Sequence, residues 1–195
     1  MKLTGSYEIK LDKKSVWRAL NNPLILKKSI PGCEEFTKSS ETNFKASATN
    51  KIGPFNATFT GDIEIKDLNP PDSYKIVGQG NSSVGFASGE ALVKLEESNG
   101  VTKLIYTVKA NVGGKIAQVG SRLIDMTAKK MADIFFKNFS DIISSQKIQS
   151  DNNEEEQTKK KEVKDPSGLN FSKQKTKIIS LLIILCVLAG IYLLK

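Results

Sequence analysis

The residues of this 195-residue chain that could carry out acid–base or nucleophilic chemistry lack the partners that such chemistry needs. The chain contains no histidine, which removes Ser-His-Asp and Cys-His nucleophilic sites, histidine-ligated metals and imidazole bases together. Neighbouring carboxylates such as Asp62/Glu64 and Glu96/Glu97 fall on polar strand faces or in turns, whereas a general acid needs apolar surroundings that shift its pKa. We therefore predict no catalytic residue, no metal site and no covalently bound cofactor.

The cysteines and the glycine-rich runs also lack a catalytic signature. Cys33, in "IPGCEEF", has no histidine to activate it and lies near apolar Ile30 and Phe36, which favours a small structural thiol over a nucleophile. Cys186 lies far away in an apolar segment, so no internal disulfide is expected and a reducing compartment fits. The runs "GQGNSSVG" and "VGGK" lack the spacing of phosphate-binding loops and are interpreted as a strand turn and a hinge.

The formal net charge of +8, from 29 basic and 21 acidic residues, raises the question of nucleic-acid binding. Charges of both signs are interspersed along residues 1–147, and the only arginines there are Arg18 and Arg122. Because readers of bases and phosphates favour arginine forks, this composition argues against a nucleic-acid partner. Attraction to an anionic membrane surface is a simpler explanation of the basic excess.

Hydrophobic periodicity predicts a sheet over most of the first two thirds of the chain. Residues 2–10, "KLTGSYEIK", alternate with period two, which predicts a first strand. Asp12 can then cap a short helix, and the Asn22-Pro23 pair can begin a second one. Over residues 33–112 short alternating runs recur between turn signals such as "NPPD" and "ESNG". The pattern predicts about seven antiparallel strands.

After Gly113-Gly114 the apolar residues change to a spacing of three and four, which predicts one long amphipathic helix ending near Gln146. A helix of roughly 32 residues would be ~48 Å long. A small domain can cover that length only if its sheet wraps around the helix. The sequence therefore favours a curved sheet that grips a helix.

Small residues at the predicted start of this helix have two interpretations. These residues are Gly113, Gly114, Ala117 and Gly120. They permit close packing of the helix on the sheet. Alternatively, beside Phe55, Phe59 and Phe86, they leave apolar volume unfilled, which is the usual signature of a site for a hydrophobic ligand.

Residues 178–194 are seventeen consecutive positions without a charge. As a helix they would be ~26 Å long, close to the ~30 Å hydrocarbon core of a bilayer. They show no polar stripe of period 3.6, which indicates lipid rather than a protein core as their surroundings. Lys173, Lys175 and Lys177 precede them, so the positive-inside rule keeps the N-terminal bulk in the cytoplasm. We expect a single-pass tail anchor in the cell membrane.

The chain is therefore predicted to have three parts. Residues 1–147 make one domain that can bury a core. Residues 148–177, which include "SDNNEEEQTKKKEVKDPSG", make a polar and flexible linker, and residues 178–194 make the transmembrane tail. A flexible 30-residue linker has a root-mean-square span of ~30 Å, so the domain could lean onto the bilayer or reach a partner beside it.

Three separated blocks of the sequence resemble a known family. They are "IPGCEEF", "IGPFNATFTGDIEIKDLNPPDSYKIVGQGNSSVGFASGEALVKL" and "VGGKIAQVGSRLIDMTAKKMADIFFKNF". Their order and spacing resemble the CoxG family of aerobic carbon monoxide dehydrogenase, a branch of the START-like helix-grip superfamily. The resemblance covers residues 1 to about 145. It implies an α+β fold in which a curved antiparallel sheet of about seven strands surrounds a long C-terminal helix.

The resemblance also implies an accessory protein with no chemistry of its own. The family is associated with molybdenum-containing hydroxylases of the carbon monoxide and xanthine dehydrogenase type. Its implied role is to recruit such an enzyme to the cytoplasmic membrane and to help electrons reach quinone. Helix-grip relatives bind lipids, sterols, polyketides and quinones between the sheet and the long helix. A quinone or a membrane lipid is therefore the expected ligand.

By the same resemblance, a ligand cavity is expected on the inward faces of the matching blocks. Its predicted lining residues are Phe55, Phe59, Phe86, Gly114, Ala117, Gly120, Leu123, Ile124, Thr127, Met131 and Phe135. Arg122, in "GSRLID", either docks a partner or pairs with Asp125 three residues on. The corner Pro31-Gly32-Cys33 is either a loop that contacts the partner or merely a turn.

Three functions remain open on the sequence alone. The first is a membrane recruitment and quinone-delivery factor for a molybdenum hydroxylase. The second is a membrane-tethered carrier of lipid or another apolar ligand without an oxidoreductase partner. The third is an enzyme of the polyketide-cyclase type on the same fold, which would need a buried acid or base in its cavity.

Overall fold

The computed structural model describes the backbone of residues 1–158 and the side chains of residues 1–145. The elements are β1 (Lys2–Ile9), α1 (Lys13–Ala19), α2 (Pro23–Ser29), β2 (Cys33–Lys38), β3 (Asn43–Ile52), β4 (Phe55–Asn69), β5 (Ser73–Ser82), β6 (Gly85–Ser98), β7 (Val101–Gly113), a 3-10 helix (Lys115–Val119) and α3 (Ser121–Thr158). Within residues 1–158 no helix is long and apolar enough to cross a membrane. The predicted tail anchor, residues 178–194, and most of the predicted linker, residues 148–177, lie outside the described residues.

The seven strands form one antiparallel sheet in the order β1-β7-β6-β5-β4-β3-β2, so the prediction of about seven antiparallel strands is confirmed. Each strand from β2 to β7 pairs with the next along the chain, while β1 pairs with β7, from Lys2 opposite Lys109 to Ile9 opposite Thr102. Side chains alternate between a face that is covered by the helices, called here the inner face, and an outer face. The core lies between the inner face and the helices.

Two short helices begin where the sequence predicts them, because their caps are encoded locally. The Asp12 carboxylate accepts a hydrogen bond from Ser15 N at 2.9 Å at the start of α1. The Asn22 side-chain oxygen accepts from Leu24 N at 3.0 Å at the start of α2, and proline occupies the first turn. Both bonds satisfy backbone N–H groups that a helix start leaves without intrahelical partners.

The backbones of β4 and β5 come very close together at Gly61. A Cβ atom at Gly61 would lie 2.0 Å from Gln79 O and 2.8 Å from Gly80 Cα, so only glycine allows the two backbones to come this close. The long strands β4, β6 and β7 curve around the helical layer, as the sequence predicts. On the other side of that layer, Asn138 Nδ2 donates to Ser29 O at 3.2 Å and joins α3 to α2.

The long helix is not continuous from Gly114, and this part of the prediction is wrong. A five-residue 3-10 helix comes first, and Gly120, with φ of +89°, separates it from α3. The spacing of apolar residues continues unchanged across this break. It therefore gives no sign of the positive φ of Gly120, a conformation that glycine adopts readily. At its other end α3 continues to Thr158, eleven residues into the segment predicted as a linker, where glutamate and glutamine are good helix formers.

Candidate functional site

The inner face of the sheet has a row of very small residues across four strands. Ala46 pairs with Gly61, Gly61 with Gly80, and Gly80 with Ala87. Further along the strands, Tyr74, Val93 and Tyr106 form a bulky row on the same face. The sheet therefore presents a concave, small-residue half and a filled half to the helices, and the small-residue half is where a ligand would have room.

The 3-10 helix and the start of α3, together called here the closing segment, lie over the end of this concave half. Ile116 N donates to Val84 O at 2.9 Å, and the Ile116 side chain is buried in the core. A Cβ atom at Gly53 would lie 3.0 Å from Leu123 Cδ2 and 3.4 Å from Val119 Cγ1. The 3-10 helix and the start of α3 therefore touch both the β3–β4 turn and the β5–β6 turn.

The predicted lining residues do not all lie together. Phe59 on β4 and Ile124, Met131 and Phe135 on α3 are buried; half-buried are Phe55, Leu123 and Thr127; exposed are Gly114, Ala117 and Gly120. The Thr127 hydroxyl donates to Leu123 O within α3, at 2.8 Å, so its polar atom is already satisfied. The set therefore runs from the core to the outside of the closing segment, rather than around one cavity.

Phe86 lies on the opposite side of the sheet from the helices, so its placement in the cavity is corrected. It pairs with Gly113, and a Cβ atom at Gly113 would lie 2.2 Å from Phe86 Cζ. A Cβ atom at Gly114 would lie 2.6 Å from Gly85 Cα. Of the two interpretations of these glycines, close packing is therefore the one that the structure supports at Gly113 and Gly114.

The described interior is apolar. Among residues 1–145 the side chains that form the core are each at most 7% exposed, and the polar residues buried there are Asn21, Ser29 and Thr102. In the same part of the chain no group of three or more potential ligands could hold a metal ion. A large ligand that enters from this end of the sheet would have to displace the closing segment.

Comparison with protein families identifies this unit. The sequence profile of the carbon monoxide dehydrogenase subunit CoxG matches residues 5–144, which is most of the chain. The chain belongs to the CoxG family. The match begins within β1 and ends near the last described side chains of α3, so it coincides with the sheet and its gripping helix.

Solved structures have the same helix-grip fold as this CoxG-family chain. A conserved protein from Geobacillus kaustophilus is 33% identical with a TM-score of 0.72, over 74% of this chain and 96% of that one. An uncharacterised protein from Rhizobium leguminosarum is 15% identical with a TM-score of 0.57, over 74% and 95%. A Thermus thermophilus protein is 10% identical with a TM-score of 0.58, over 74% and 98%. The last two show the fold alone. Comparison with curated proteins finds no match.

Two buried donors of the CoxG unit were not found by sequence reasoning. Trp17 Nε1 and the Tyr74 hydroxyl have no hydrogen-bond partner, although the residues are only 4% and 1% exposed. Their rings meet edge to face with centroids 5.3 Å apart, and burial raises the pKa of Tyr74 well above its ordinary value. Buried polar groups are normally paired, so these two can donate to an acceptor that enters the interior, such as a water or a ligand carbonyl.

A second cluster joins the first strand to α3. Tyr7 stacks on Phe136 with ring centroids 3.9 Å apart, and its hydroxyl donates to Asp133. Burial, and next the hydrogen bond to Asp133, raise the pKa of Tyr7, so the phenol stays protonated. Tyr106 completes the stack, 5.7 Å from Phe136. This arrangement fixes the helix on the sheet and leaves no base available for catalysis at Tyr7.

The corner Pro31-Gly32-Cys33 packs as a turn against β3. Gly32 O accepts from Thr49 N at 2.9 Å, and Asn50 Nδ2 donates to Pro31 O at 3.3 Å. Burial raises the pKa of the Cys33 thiol, which donates to Glu35 O at 3.3 Å. These contacts favour the structural interpretation of the corner and of its thiol.

Arg122 is exposed on the first turn of α3, and among residues 1–145 the ion pairs do not include one between Arg122 and Asp125. A role in docking a partner therefore stays a prediction. The outer face of the sheet also holds an open groove of about 1040 Å³, lined by polar residues that include Asp62, Gln79 and Glu90. It lies on the opposite side from the predicted cavity.

Proposed function

We propose that this CoxG-family protein is a non-catalytic accessory subunit that recruits a molybdenum hydroxylase of the carbon monoxide dehydrogenase type to the cytoplasmic membrane and aids electron transfer to quinone. Family membership over residues 5–144 carries the proposal, because it points to an accessory role in carbon monoxide dehydrogenase systems. Residues 178–194 would anchor the chain in the cell membrane, with the domain in the cytoplasm.

Quinone would bind between the concave half of the sheet and α3. The apolar interior suits a prenyl chain. Since the closing segment covers this end of the sheet, entry of quinone here would require the 3-10 helix to move away from the β3–β4 turn. Gly114 and Gly120 flank the 3-10 helix with φ of +82° and +89°, and the conformational freedom of glycine at both positions would ease this movement.

A disulfide across the closing segment tests whether quinone enters this way. A Cβ atom at Gly53 would lie 3.8 Å from Val119 Cβ, which matches the usual Cβ separation of ~3.8 Å in a disulfide. Gly53→Cys with Val119→Cys, on a background with Cys33→Ser and Cys186→Ser, should take up quinone when reduced and not when oxidised. Native mass spectrometry of the detergent-extracted full chain would report the bound quinone, and the reduced form of the same variant is the matched control.

Equal uptake by the oxidised and reduced forms would exclude entry through the closing segment. A co-purified phospholipid in place of quinone would favour the alternative, a membrane-tethered lipid carrier without an oxidoreductase partner.

The recruitment role needs a separate experiment. Affinity purification of the full chain from native membranes should retain a molybdenum hydroxylase, and a variant truncated before residue 176 should leave that enzyme in the soluble fraction. Unchanged membrane association of the enzyme after truncation would contradict recruitment by this protein.

A further inference from the structure

Three stretches of the chain that together contain basic but no acidic residues meet at the closing segment. We define the basic rim as residues 51–56, 81–86 and 113–123, which meet through the contacts of Gly53 with Val119 and of Ile116 with Val84. These three stretches contain three basic residues and no acidic one. The basic residues are Lys51, Lys115 and Arg122, and all three are exposed.

The opposite end of the sheet has the contrary pattern, because its cations are neutralised by neighbouring carboxylates. In the β4–β5 and β6–β7 turns and beside them, Lys75 pairs with Asp67 at 3.0 Å and Lys94 with Glu96 at 2.7 Å. The ion pairs of residues 1–145 include none made by the basic residues of the rim. The rim therefore carries three positive charges that none of these ion pairs neutralises.

Apolar side chains accompany these charges. Pro54 and Ala117 are exposed, and Val119 and Leu123 are half-buried. Met126, one turn further along α3, is 64% exposed. Two carboxylates flank this surface: Asp125 on α3, and Glu34, which accepts a hydrogen bond from the Thr49 hydroxyl at 2.5 Å. Exposed cations beside exposed apolar side chains are the usual composition of a surface that lies in a membrane interface.

We propose that the basic rim docks on an anionic lipid bilayer, with the closing segment facing the membrane. An anionic lipid surface requires only positive charge and apolar contact, which the rim supplies. A protein partner would favour tryptophan, tyrosine and arginine anchors, whereas the rim contains one arginine and neither of the other two residue types. The inference rests on the proposed function, which places the domain in the cytoplasm beside the membrane. Docking in this orientation would turn the end through which quinone would enter toward the quinone dissolved in the bilayer.

Depth-sensitive labelling of the full chain tests this orientation. A fluorophore is attached at Ala117→Cys or, as a control at the far end of the sheet, at exposed Ser98→Cys, both on the Cys33→Ser, Cys186→Ser background. The chain is reconstituted in vesicles of phosphatidylcholine with or without phosphatidylglycerol, and quenching by lipid-borne nitroxides is measured. We expect the label at residue 117 to be quenched in the anionic vesicles and the label at residue 98 to stay unquenched.

Charge variants supply the matched comparison. Lys51→Gln, Lys115→Gln and Arg122→Gln together should lower the ratio of docked to undocked domain on the order of 100-fold, since each basic residue near an anionic surface contributes about 5-fold. Lys66→Gln, Lys94→Gln and Lys103→Gln remove the same charge from the far end and should change this ratio less than about 2-fold. Unchanged emission of Trp17, the single tryptophan, would verify that both triple variants fold.

Equal quenching of the two labels, or quenching at residue 117 that ignores the rim charges, would overturn the proposal. Protection of residue 117 only after addition of the hydroxylase would also overturn it and assign the rim to that enzyme. Quinone content is measured on the same preparations by native mass spectrometry. Docking without bound quinone would contradict the proposed function and leave this inference standing. Bound quinone without docking would contradict this inference and leave the proposed function standing.

Discussion

Removing the Tyr74 hydroxyl should stabilise the ligand-free protein, although Tyr74 is among the largest fully buried side chains. The hydroxyl has no hydrogen-bond partner, so the folded state bears the cost of taking it out of water without compensation. Tyr74→Phe keeps the ring and its edge-to-face contact with Trp17 at 5.3 Å. Only the unpaired polar atom is lost.

The expected magnitude follows from the desolvation cost of one unpaired hydroxyl. Leaving such a group buried costs about 1–3 kcal/mol, and the small void left by the missing oxygen returns part of this. We therefore expect Tyr74→Phe to raise the free energy of unfolding by about 1–2 kcal/mol. For a chain of this size that is an increase in Tm of about 3–6 °C.

Tyr7→Phe is the matched control, because it deletes the same atom from a tyrosine whose hydroxyl donates to Asp133. It should lower the free energy of unfolding by about 1 kcal/mol, the usual net value of a hydrogen bond. Urea titration of the full chain in mild detergent, followed by the emission of Trp17, measures both variants. Because Trp17 adjoins Tyr74 in the core, its emission reports the packing at the mutated site directly.

Loss of about 1 kcal/mol or more in Tyr74→Phe would refute this reasoning, since it would mean that a water or another group satisfies the hydroxyl. Equal destabilisation in Tyr7→Phe and Tyr74→Phe would lead to the same conclusion.

Two further tests address the fold, one at Gly61 and one at Asp12, each with a control substitution. Gly61→Ala should lower the free energy of unfolding, measured in urea, by more than about 3 kcal/mol, because its Cβ atom would lie 2.0 Å from a backbone oxygen of β5. Gly100→Ala is the control. Gly100 has φ of +73° and lies in open space, so this substitution should lower the free energy of unfolding by only about 1 kcal/mol. Asp12→Ala should cost about 1 kcal/mol by removing the cap of α1. Hydrogen bonds from Ser15 hold the pKa of Asp12 below its ordinary value. The stability they contribute is therefore complete above the unfolded pKa of about 4 and is lost as the pH falls through the lower folded pKa. Asp12→Asn should keep the cap without this pH dependence.

The strands and the two short helices could be predicted because their signals are local. Alternation of apolar residues, the caps at Asp12 and Asn22, and the turn sequences all lie within a few residues of the structure that they specify. The break at Gly120 could not be predicted in this way, because the apolar residues on both sides of it face the same core.

The face of a strand is harder to predict than the strand itself. Sequence reasoning assigns Phe86 to the inner face, yet a shift of one residue moves a side chain to the other side of the sheet. Its true position is settled by pairing with Gly113, 27 residues away. Glycines lie next to this pair on both strands. Because glycine has no side chain, they weaken the alternation of apolar and polar residues from which the face of a strand residue is predicted.

The polar contacts of the interior depend on residues far apart in sequence. The hydroxyl of Tyr7 reaches Asp133 across 126 positions, and Trp17 meets Tyr74 only because α1 folds back over β5. No local pattern encodes either contact. For the same reason, the cavity residues inferred from family resemblance could not be sorted from sequence into those in the core and those outside it.

The pairing of β1 with β7 determines when the sheet of this protein can be completed during its synthesis. β1 precedes the other six strands of this sheet along the chain and has its partner at residues 102–109. At translation rates of about 5–20 residues per second, β1 waits about 5–20 s for that partner. The hairpins β3 to β6 can form in sequence during this interval, but the edge that β1 completes is closed last, and chaperones would meet the nascent chain with that edge still open.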